Sequence, residues 1–266
     1  MTTVPELSDS PREPSRERVS VDIDAQGVAV VRMTRPDRHN ALDASMISAL
    51  SFAAARISDD SAVRAVVLFG EGKSFCAGLD VDHYLRNPSR INDLFTVDDQ
   101  SIANRAQRVS YDWQRCPVPV IAAVAGNCLG GGLQLALGAD IRIASPEAQL
   151  SVMEIRWGLV PDMGITYTLP KLVGIDVAKE LTFTGKVVSG NDARRLGLVT
   201  RIADDPISAA IDTALDIATR DPRAIRAAKQ LLNEGWNTPP RDGFALESRL
   251  QQRLLSGGTP GSHSCT

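Results

Sequence analysis

Cysteine and histidine are scarce in this sequence, and their spacing excludes the common metal and disulfide frameworks. The four cysteines, Cys76, Cys116, Cys128 and Cys265, form no CxxC pair, and none of the three histidines stands at zinc-ligand spacing from them. The sequence therefore predicts no metal site and no disulfide framework. Reduced thiols in the cytoplasm are the simplest interpretation of these cysteines.

Long apolar runs and an excess of positive charge are also missing. The longest apolar run, residues 118–125, has the length of a strand and is too short to cross a bilayer. The first ten residues have no basic start and no apolar stretch, so we do not expect a secretory signal. A net charge of -3 argues against a nucleic-acid-binding surface, which needs clustered lysine and arginine. We expect neither a membrane nor a nucleic acid as a partner.

Residues 1–18 and 256–266 are poor in apolar side chains and rich in proline, serine, glycine or charge. Segments of this composition cannot bury enough apolar surface to fold. They predict a disordered tail at the start of the chain and a flexible tail at its end. The sequence between them is long and apolar enough to form one large core.

The pattern between the tails is that of an α/β protein, in which strands and helices alternate and glycine follows several strands. The expected elements are a hairpin of strands 19–23 and 28–33, a helix from Asp43 to about Ile57, a buried strand at 65–69, an irregular stretch at 80–99, a helix at about 98–115, a strand at 118–124, a helix that ends near Gly138, and a mainly helical region from about 175. Asp43 and Ser189 are expected to cap helices through their side-chain oxygens. This pattern alone fits any generic α/β domain.

Two glycine-rich segments, 70–78 and 126–132, each follow a buried strand and precede a helix. Glycine lets a ligand approach the backbone closely, and main-chain N–H groups at such a turn can bind an anion. Tight packing explains a single glycine run equally well, and the second segment does not have the spacing of a nucleotide-binding loop. Two such segments in one domain favour a shared site, in which N–H groups converge on one oxygen atom as an oxyanion hole.

Five segments together resemble the crotonase (enoyl-CoA hydratase/isomerase) superfamily, in the same order and at the expected separations. They are RPDRHNAL at 35–42, FCAGLD at 75–80, PVIAAVAG at 119–126, AGNCLGGGLQLA at 125–136 and GLVP at 158–161. The resemblance covers roughly residues 19–255. It implies an α/β fold in which a crotonase-like spiral of stacked ββα units (19–202) carries an acyl-CoA site. It also implies a C-terminal helical region (203–255) used for trimerisation, in a homotrimer or a dimer of trimers.

The same resemblance assigns the residues that bind the substrate. The main-chain N–H groups of Leu79 and Gly131 would form the oxyanion hole around the thioester carbonyl. The coenzyme A part of an acyl-CoA would lie near Arg38, Ala41, Lys73, Ala77 and Asp80. Lys73 is explained equally well as a solvated loop lysine. Coenzyme A enters as part of the substrate, so no separate cofactor is expected.

The acid/base positions of the family are occupied here by Gln134 and Glu154, whereas hydratases of the family carry Glu at both. Hydration needs one group that activates water and another that delivers a proton. Glutamine has no titratable proton, so we expect weak hydration or none. Isomerisation of a 3-enoyl-CoA needs only one carboxylate, which favours an enoyl-CoA isomerase with Glu154 as the proton shuttle. The plain alternative for Glu154 is a surface carboxylate.

Asp162 stands eight residues after Glu154, where dienoyl-CoA isomerases of the superfamily carry a second acid/base group. Otherwise Asp162 would cap the helix that follows it. Two further functions stay open. One is an enoyl-CoA hydratase in which Asp162 takes the role that Gln134 cannot fill, and the other is a catalytically silent protein that binds acyl-CoA. Tyr84 and Phe95 are candidates for the lining of the acyl pocket.

Overall fold

The computed structural model describes residues 18–87, 89–98 and 101–256. Apart from one residue each, the predicted tails at 1–18 and 256–266 lie outside these ranges. None of the helices within the described ranges is long and apolar enough to span a membrane.

The residues at the two ends of the described chain contact or belong to its regular elements. The Arg18 carbonyl accepts a hydrogen bond from the Thr34 N–H at 2.9 Å, and the Arg18 guanidinium pairs with Asp43 at 3.0 Å. Ser256 is the last residue of the final helix. Arg18 and Ser256, which the predicted tails include, are thus held by the folded part of the chain, and the tails themselves stay predictions.

Strands form two sheets. Within the described residues they are β1 (Val19–Ile23), β2 (Val28–Met33), β3 (Ala65–Gly70), β4 (Val120–Val124), β5 (Asn127–Leu129), β6 (Ile141–Ala144), β7 (Gln149–Ser151), β8 (Val188–Ser189) and β9 (Arg201–Ile202). The large sheet has the order β1-β2-β3-β4-β6-β9, and the small sheet has the order β5-β7-β8. β1 is antiparallel to β2 and β8 is antiparallel to β7, whereas all other neighbours are parallel.

Helices pack on both faces of the large sheet. In the described chain they are α1 (Ala44–Asp59), α2 (Val81–Arg86), α3 (Ser89–Leu94), α4 (Arg105–Arg115), α5 (Gly131–Leu137), α6 (Ile165–Val173), α7 (Ile175–Thr184), α8 (Gly190–Leu196), α9 (Pro206–Ala218), α10 (Pro222–Gly235) and α11 (Pro240–Ser256). Two 3-10 turns occur at Pro36–Arg38 and Glu154–Trp157. The predicted α/β class is therefore confirmed.

Successive side chains of each parallel strand point to opposite faces of the sheet, so they enter two separate cores. Val66 and Leu68 of β3 belong to the core that α1, α4 and α5 help to form, whereas Val67 belongs to the core under α9. Strands that are buried on both faces need continuous apolar runs, and β3 and β4 have them. With both faces of the sheet covered by helices, the loops at the strand ends are the natural place for a site.

The two glycine-rich segments meet because β3 and β4 are parallel neighbours. Their register pairs Phe69 with Ala123, so the chain leaves both strands at the same edge of the sheet. Beyond that edge Cys76 forms a parallel bridge with Cys128, and the Leu129 N–H donates to the Cys76 carbonyl at 3.0 Å. Main-chain hydrogen bonds thus join the two segments.

Several predicted elements are confirmed. β1 and β2 form the expected hairpin. Asp43 caps α1, because its Oδ1 accepts a hydrogen bond from the Met46 N–H at 2.8 Å. Ser189 caps α8 in the same way, since its Oγ accepts from the Asp192 N–H at 3.1 Å.

Two predictions about residues 80–115 are wrong. The stretch 80–99 is not irregular, because it contains α2 and α3. The helix expected from about residue 98 begins only at Arg105, where Asn104 and Gln107 form a capping box. The box fixes the helix start because it satisfies main-chain N–H groups that have no acceptor within the helix.

Gly126 stands at a close approach of the two glycine-rich segments. Its φ is +56°, and a Cβ on it would lie 1.8 Å from the Lys73 carbonyl oxygen. Gly158 has a φ of +69° but nothing within 4 Å of its Cβ position, so it offers a matched control.

We expect Gly158→Ala to lower the free energy of unfolding by about 1–2 kcal/mol, from backbone strain alone. Gly126→Ala should lower it by more than about 4 kcal/mol, because the Lys73 backbone must also move. Urea denaturation followed by circular dichroism measures both variants. Equal losses would contradict the close contact at Gly126.

Candidate active site

The two predicted oxyanion donors lie on loops that touch. Leu79 directly follows Gly78, whose φ is +90°, and a Cβ on Gly78 would lie 3.4 Å from the Gly131 nitrogen. Among the described residues, neither the Leu79 N–H nor the Gly131 N–H has a hydrogen-bond acceptor. Two unpaired main-chain donors on neighbouring loops are the arrangement from which an oxyanion hole is built.

A buried ion pair holds the loop that carries Leu79. Asp80 is 5% exposed, and its Oδ2 lies 2.7 Å from Nη1 of Arg35. Burial alone would raise the pKa of Asp80, but hydrogen bonds from Arg35 and from the His83 N–H bring it below its usual value. Protein partners therefore already occupy the Asp80 carboxylate, which anchors the loop.

The other residues that the resemblance assigns to coenzyme A differ in exposure. The Arg38 side chain is 45% exposed and pairs with Asp82 at 3.2 Å. Lys73 is exposed, Ala77 is half-buried and Ala41 is buried. Arg38 and Lys73 are thus cations that a phosphate group could reach, whereas the two alanines offer only a small apolar surface.

Glu154 lies beside the glycine-rich start of α5. Its Oε1 is 3.2 Å from the Cβ position of Gly130 and accepts a hydrogen bond from Gln134 Nε2 at 2.7 Å. Its Oε2 is buried and has no partner in the part of the chain that the structure describes. One carboxylate oxygen is held by Gln134, and the other has no partner among the described residues.

Gln134 is a buried positioning residue. Its Oε1 accepts a hydrogen bond from the Met163 N–H at 2.8 Å. Because a main-chain N–H can only donate, the carbonyl end of the Gln134 amide must face Met163, and the NH2 end must face Glu154. The orientation of the amide is therefore determined, and each of its polar atoms has a protein partner.

The environment of Glu154 raises the pKa of its carboxyl group. Burial is the main cause that raises the pKa of Glu154, and the nearby charge of Asp162 raises it further. Hydrogen bonds from its own main chain and from Gln134 oppose this shift without cancelling it. A carboxyl group with a raised pKa can accept a proton and return it at a pH closer to neutral.

Asp162 does not cap the next helix. α6 begins at Ile165 with Gly164 as its N-cap residue, and no side chain caps it. The capping alternative for Asp162 is therefore wrong. Burial raises the pKa of Asp162, and its charge acts on Glu154, so it is a second carboxyl group close to the site.

Met163 and Leu42 are parts of the site that sequence reasoning missed. A Cβ on Gly131 would lie 2.7 Å from Met163 Sδ and 3.1 Å from Leu42 Cδ1, so these side chains pack against the donor residue. The Met163 N–H also orients Gln134. A main-chain N–H has no side-chain signature, so only the Pro-Asp-Met-Gly segment around Asp162 could have drawn attention to it.

The two candidates for the acyl pocket do not lie in similar surroundings. Tyr84 is 2% exposed and belongs to the core, whereas Phe95 is 56% exposed. Gln134 and the Gly130 position, next to Gly131, contact Glu154, and the charge of Asp162 acts on Glu154. Leu79 follows Gly78, whose Cβ position is 3.4 Å from the Gly131 nitrogen. No group of three or more His, Cys, Asp or Glu residues that could hold a metal ion occurs among the described residues.

The arrangement can stabilise negative charge on an oxygen atom while a proton moves at a nearby carbon. The two main-chain donors would hold the oxyanion, and the Glu154 carboxyl group would carry the proton. This combination suits the formation of an enolate from a carbonyl compound.

Comparison with known proteins gives one consistent result. A sequence model of the enoyl-CoA hydratase/isomerase family matches residues 24–258. The chain is 34% identical over 224 residues to a short-chain-enoyl-CoA hydratase of Clostridium acetobutylicum, with 83% of each protein covered. It is 32% identical over 238 residues to the mitochondrial methylglutaconyl-CoA hydratase of Mus musculus, which covers 87% of this chain and 74% of that protein. The crystal structure of an enoyl-CoA hydratase from Bacillus anthracis has a TM-score of 0.81 at 29% identity, covering 90% of this chain and 91% of that chain.

Gln134→Glu would place a second carboxyl group against Glu154, at the 2.7 Å contact that Gln134 Nε2 now makes. Two carboxyl groups so close cannot both ionise easily, so the second ionisation of the pair should have a pKa above the already raised pKa of Glu154. We expect a further rise of more than about one pH unit.

NMR titration of the side-chain carboxyl carbons measures this shift. Gln149→Glu is the control, because Gln149 is exposed and its replacement should titrate as an ordinary glutamate. If both carboxyl groups of the Gln134→Glu variant ionised in the usual range, the contact between positions 134 and 154 would be contradicted.

Proposed function

This chain belongs to the enoyl-CoA hydratase/isomerase family, and we propose that it moves a double bond in an enoyl-CoA thioester with Glu154 as the proton carrier. One observation carries the proposal. Gln134 stands where hydration would need a second acid/base group. Its amide donates to Glu154 Oε1, while Oε2 stays without a partner among the described residues. The site therefore offers one proton-carrying atom next to the glycine-rich loop.

The proposed reaction converts a 3-enoyl-CoA into a 2-enoyl-CoA. Glu154 Oε2 takes a proton from C2, and the electrons of that C–H bond form a dienolate with the thioester carbonyl and the existing double bond. The N–H groups of Leu79 and Gly131 hold the charge on the carbonyl oxygen. The protonated Glu154 then returns its proton to C4, so the double bond moves to C2–C3 and the enzyme is regenerated.

Isomerisation needs no water, and this agrees with what Gln134 can do. Its neutral amide cannot take a proton from water near neutral pH. Because it occupies Oε1 of Glu154, the proton is carried on Oε2 in both half-reactions. The raised pKa of Glu154 lowers the cost of the protonated state that follows the first proton transfer.

For binding, we propose that Arg38 and Lys73 contact the phosphates of coenzyme A, with Ala41 and Ala77 against its adenine. Asp80 would help only by keeping the loop in place, through Arg35. Coenzyme A enters with the substrate, so no separate cofactor is required.

The proposed assembly is a homotrimer or a dimer of trimers built on the C-terminal helices. Four large apolar side chains of α10 and α11 and their connection support it, since they are exposed in the single chain: Leu232, Trp236, Phe244 and Leu255. The spiral of ββα units and the cytoplasmic location stay predictions.

Glu154→Gln tests the proposed proton carrier. The variant should lose at least about 100-fold in isomerisation of 3-hexenoyl-CoA and in exchange of the C2 hydrogen for solvent deuterium. Glu147→Gln is the control, because Glu147 is exposed and lies just before β7, the strand that Glu154 follows. If the wild-type protein bound the thioester without any exchange at C2, it would be a silent acyl-CoA-binding protein.

The pH dependence of exchange has a defined sign. Glu154 must be ionised to take the C2 proton, so the rate rises with pH and levels off above the pKa of Glu154. Because burial raises that pKa, the midpoint should lie above the value of about 4.3 for a solvated glutamate. A midpoint at or below that value would exclude Glu154 as the base.

Hydration of a 2-enoyl-CoA is the second candidate function, and Asp162 is the observation that favours it. This carboxyl group also has a raised pKa and interacts electrostatically with Glu154, so it could supply the acid or base that Gln134 does not. A similar protein is named a short-chain-enoyl-CoA hydratase.

Asp162→Asn separates the two functions. If Asp162 activates or protonates in hydration, the variant should lose water addition to crotonyl-CoA by about 100-fold or more, while C2 exchange by Glu154 persists. Asp212→Asn, at an exposed position of α9, is the control. Full hydration by the Asp162→Asn variant would remove Asp162 from the mechanism.

A further inference from the structure

A cavity of about 800 Å³ lies between the C-terminal end of α4 and the helices α10 and α11. Its lining includes Arg115 from α4, Arg226 from α10 and Arg253 from α11. None of its lining residues belongs to the oxyanion loops, to α5 or to the Glu154 turn. Its volume is that of a small-molecule site.

The cavity has an excess of positive charge. Among the residues that the structure describes, Arg115, Arg226 and Arg253 have no carboxylate partner in an ion pair, and Arg226 Nη2 donates only to the Val63 carbonyl at 2.9 Å. Three helices thus place arginine residues on the lining of one cavity. Like charges repel one another when the cavity is empty, and an anion relieves this repulsion. Arginine suits a phosphate in particular, because one guanidinium group can donate two parallel hydrogen bonds to two phosphate oxygens.

The remaining charged groups of the lining do not reverse this balance. Lys229 is balanced by Asp140, with 2.6 Å between its Nζ and Oδ2. Arg223 pairs with Asp221 at 2.9 Å. Glu234 is the one carboxylate in the lining, so the cavity keeps a net positive charge.

Two uncharged groups of the lining indicate further properties of the ligand. Gln114 lines the cavity, and its Oε1 is buried with no hydrogen-bond partner in the described chain. An unsatisfied buried acceptor costs free energy until a donor reaches it, which favours a ligand that carries hydroxyl or amino groups. Tyr167 adds a partly exposed aromatic ring to the wall. Lys171 Nζ lies over one face of this ring, 3.6 Å from its centre, so only the other face is left for a flat ring system to stack on.

We propose that this cavity binds a phosphate-bearing small molecule, with its phosphate on Arg115, Arg226 and Arg253 and a donor group on Gln114. The site is separate from the acyl-thioester site and does not depend on which reaction that site catalyses. Its chemistry fits a nucleotide, and a free polyphosphate would share the contacts to the arginines.

Isothermal titration calorimetry with ADP and with pyrophosphate tests the proposal on the full-length protein. The same titrations on Arg38→Gln show how much of the probe binding belongs to the acyl-thioester site, where Arg38 is proposed to contact the coenzyme A phosphates. Arg115→Gln and Arg253→Gln change exposed side chains and should leave the fold intact. Each should raise the Kd of the bound probe by about tenfold or more, because a charge-assisted hydrogen bond is lost.

Two matched controls lie on the same helices but outside the cavity lining. Arg105→Gln is at the start of α4, and Arg249→Gln is one turn before Arg253 on α11. Both should bind the probes as the wild-type protein does. Binding of ADP without pyrophosphate identifies a nucleotide as the ligand, and binding of pyrophosphate alone identifies a free polyphosphate.

The proposal is overturned if neither probe binds with a Kd below about 1 mM. It is also overturned if the control variants weaken binding as much as Arg115→Gln and Arg253→Gln do. The same conclusion holds if Arg38→Gln abolishes binding of both probes while Arg115→Gln and Arg253→Gln leave it unchanged, since the probes would then occupy the acyl-thioester site.

Discussion

β3 and β4 run parallel as direct neighbours, so the chain leaves both strands at one edge of the sheet. The loops beyond this edge are joined by the bridge between Cys76 and Cys128, and their glycines permit an approach that a side chain would block. This arrangement brings Gly78, the residue before Leu79, to Gly131: a Cβ on Gly78 would lie 3.4 Å from the Gly131 nitrogen. The rest of the site is built around them, with Glu154 held against the start of α5.

A buried carboxylate without a cation is expensive for a fold, and Glu154 has only one side-chain donor in the described chain, Gln134. The amide of Gln134 is in turn oriented by the Met163 N–H. The same lack of compensation that makes the Glu154 charge costly also makes the group more basic. Burial without a cation therefore explains both why the Glu154 charge destabilises the fold and why the pKa of Glu154 is raised.

Local patterns were sufficient for the α/β class, the β1–β2 hairpin and the caps at Asp43 and Ser189, because each depends on neighbours in sequence. The donors at Leu79 and Gly131 could be located only through resemblance, since a main-chain N–H carries no residue type. For the same reason the role of Met163 was not predictable. The capping role considered for Asp162 failed because α6 starts at Gly164–Ile165, a boundary that depends on backbone conformation.

The hydrogen bonds between the two glycine-rich loops form when the chain folds, so the relative position of the loops is set before any ligand binds. If the N–H groups of Leu79 and Gly131 bind one oxygen atom as proposed, the entropy of aligning them is lost during folding. Ligand binding then does not have to supply it. On heating, the loops should keep their geometry until the sheet melts, and turnover and tertiary structure should disappear in the same transition.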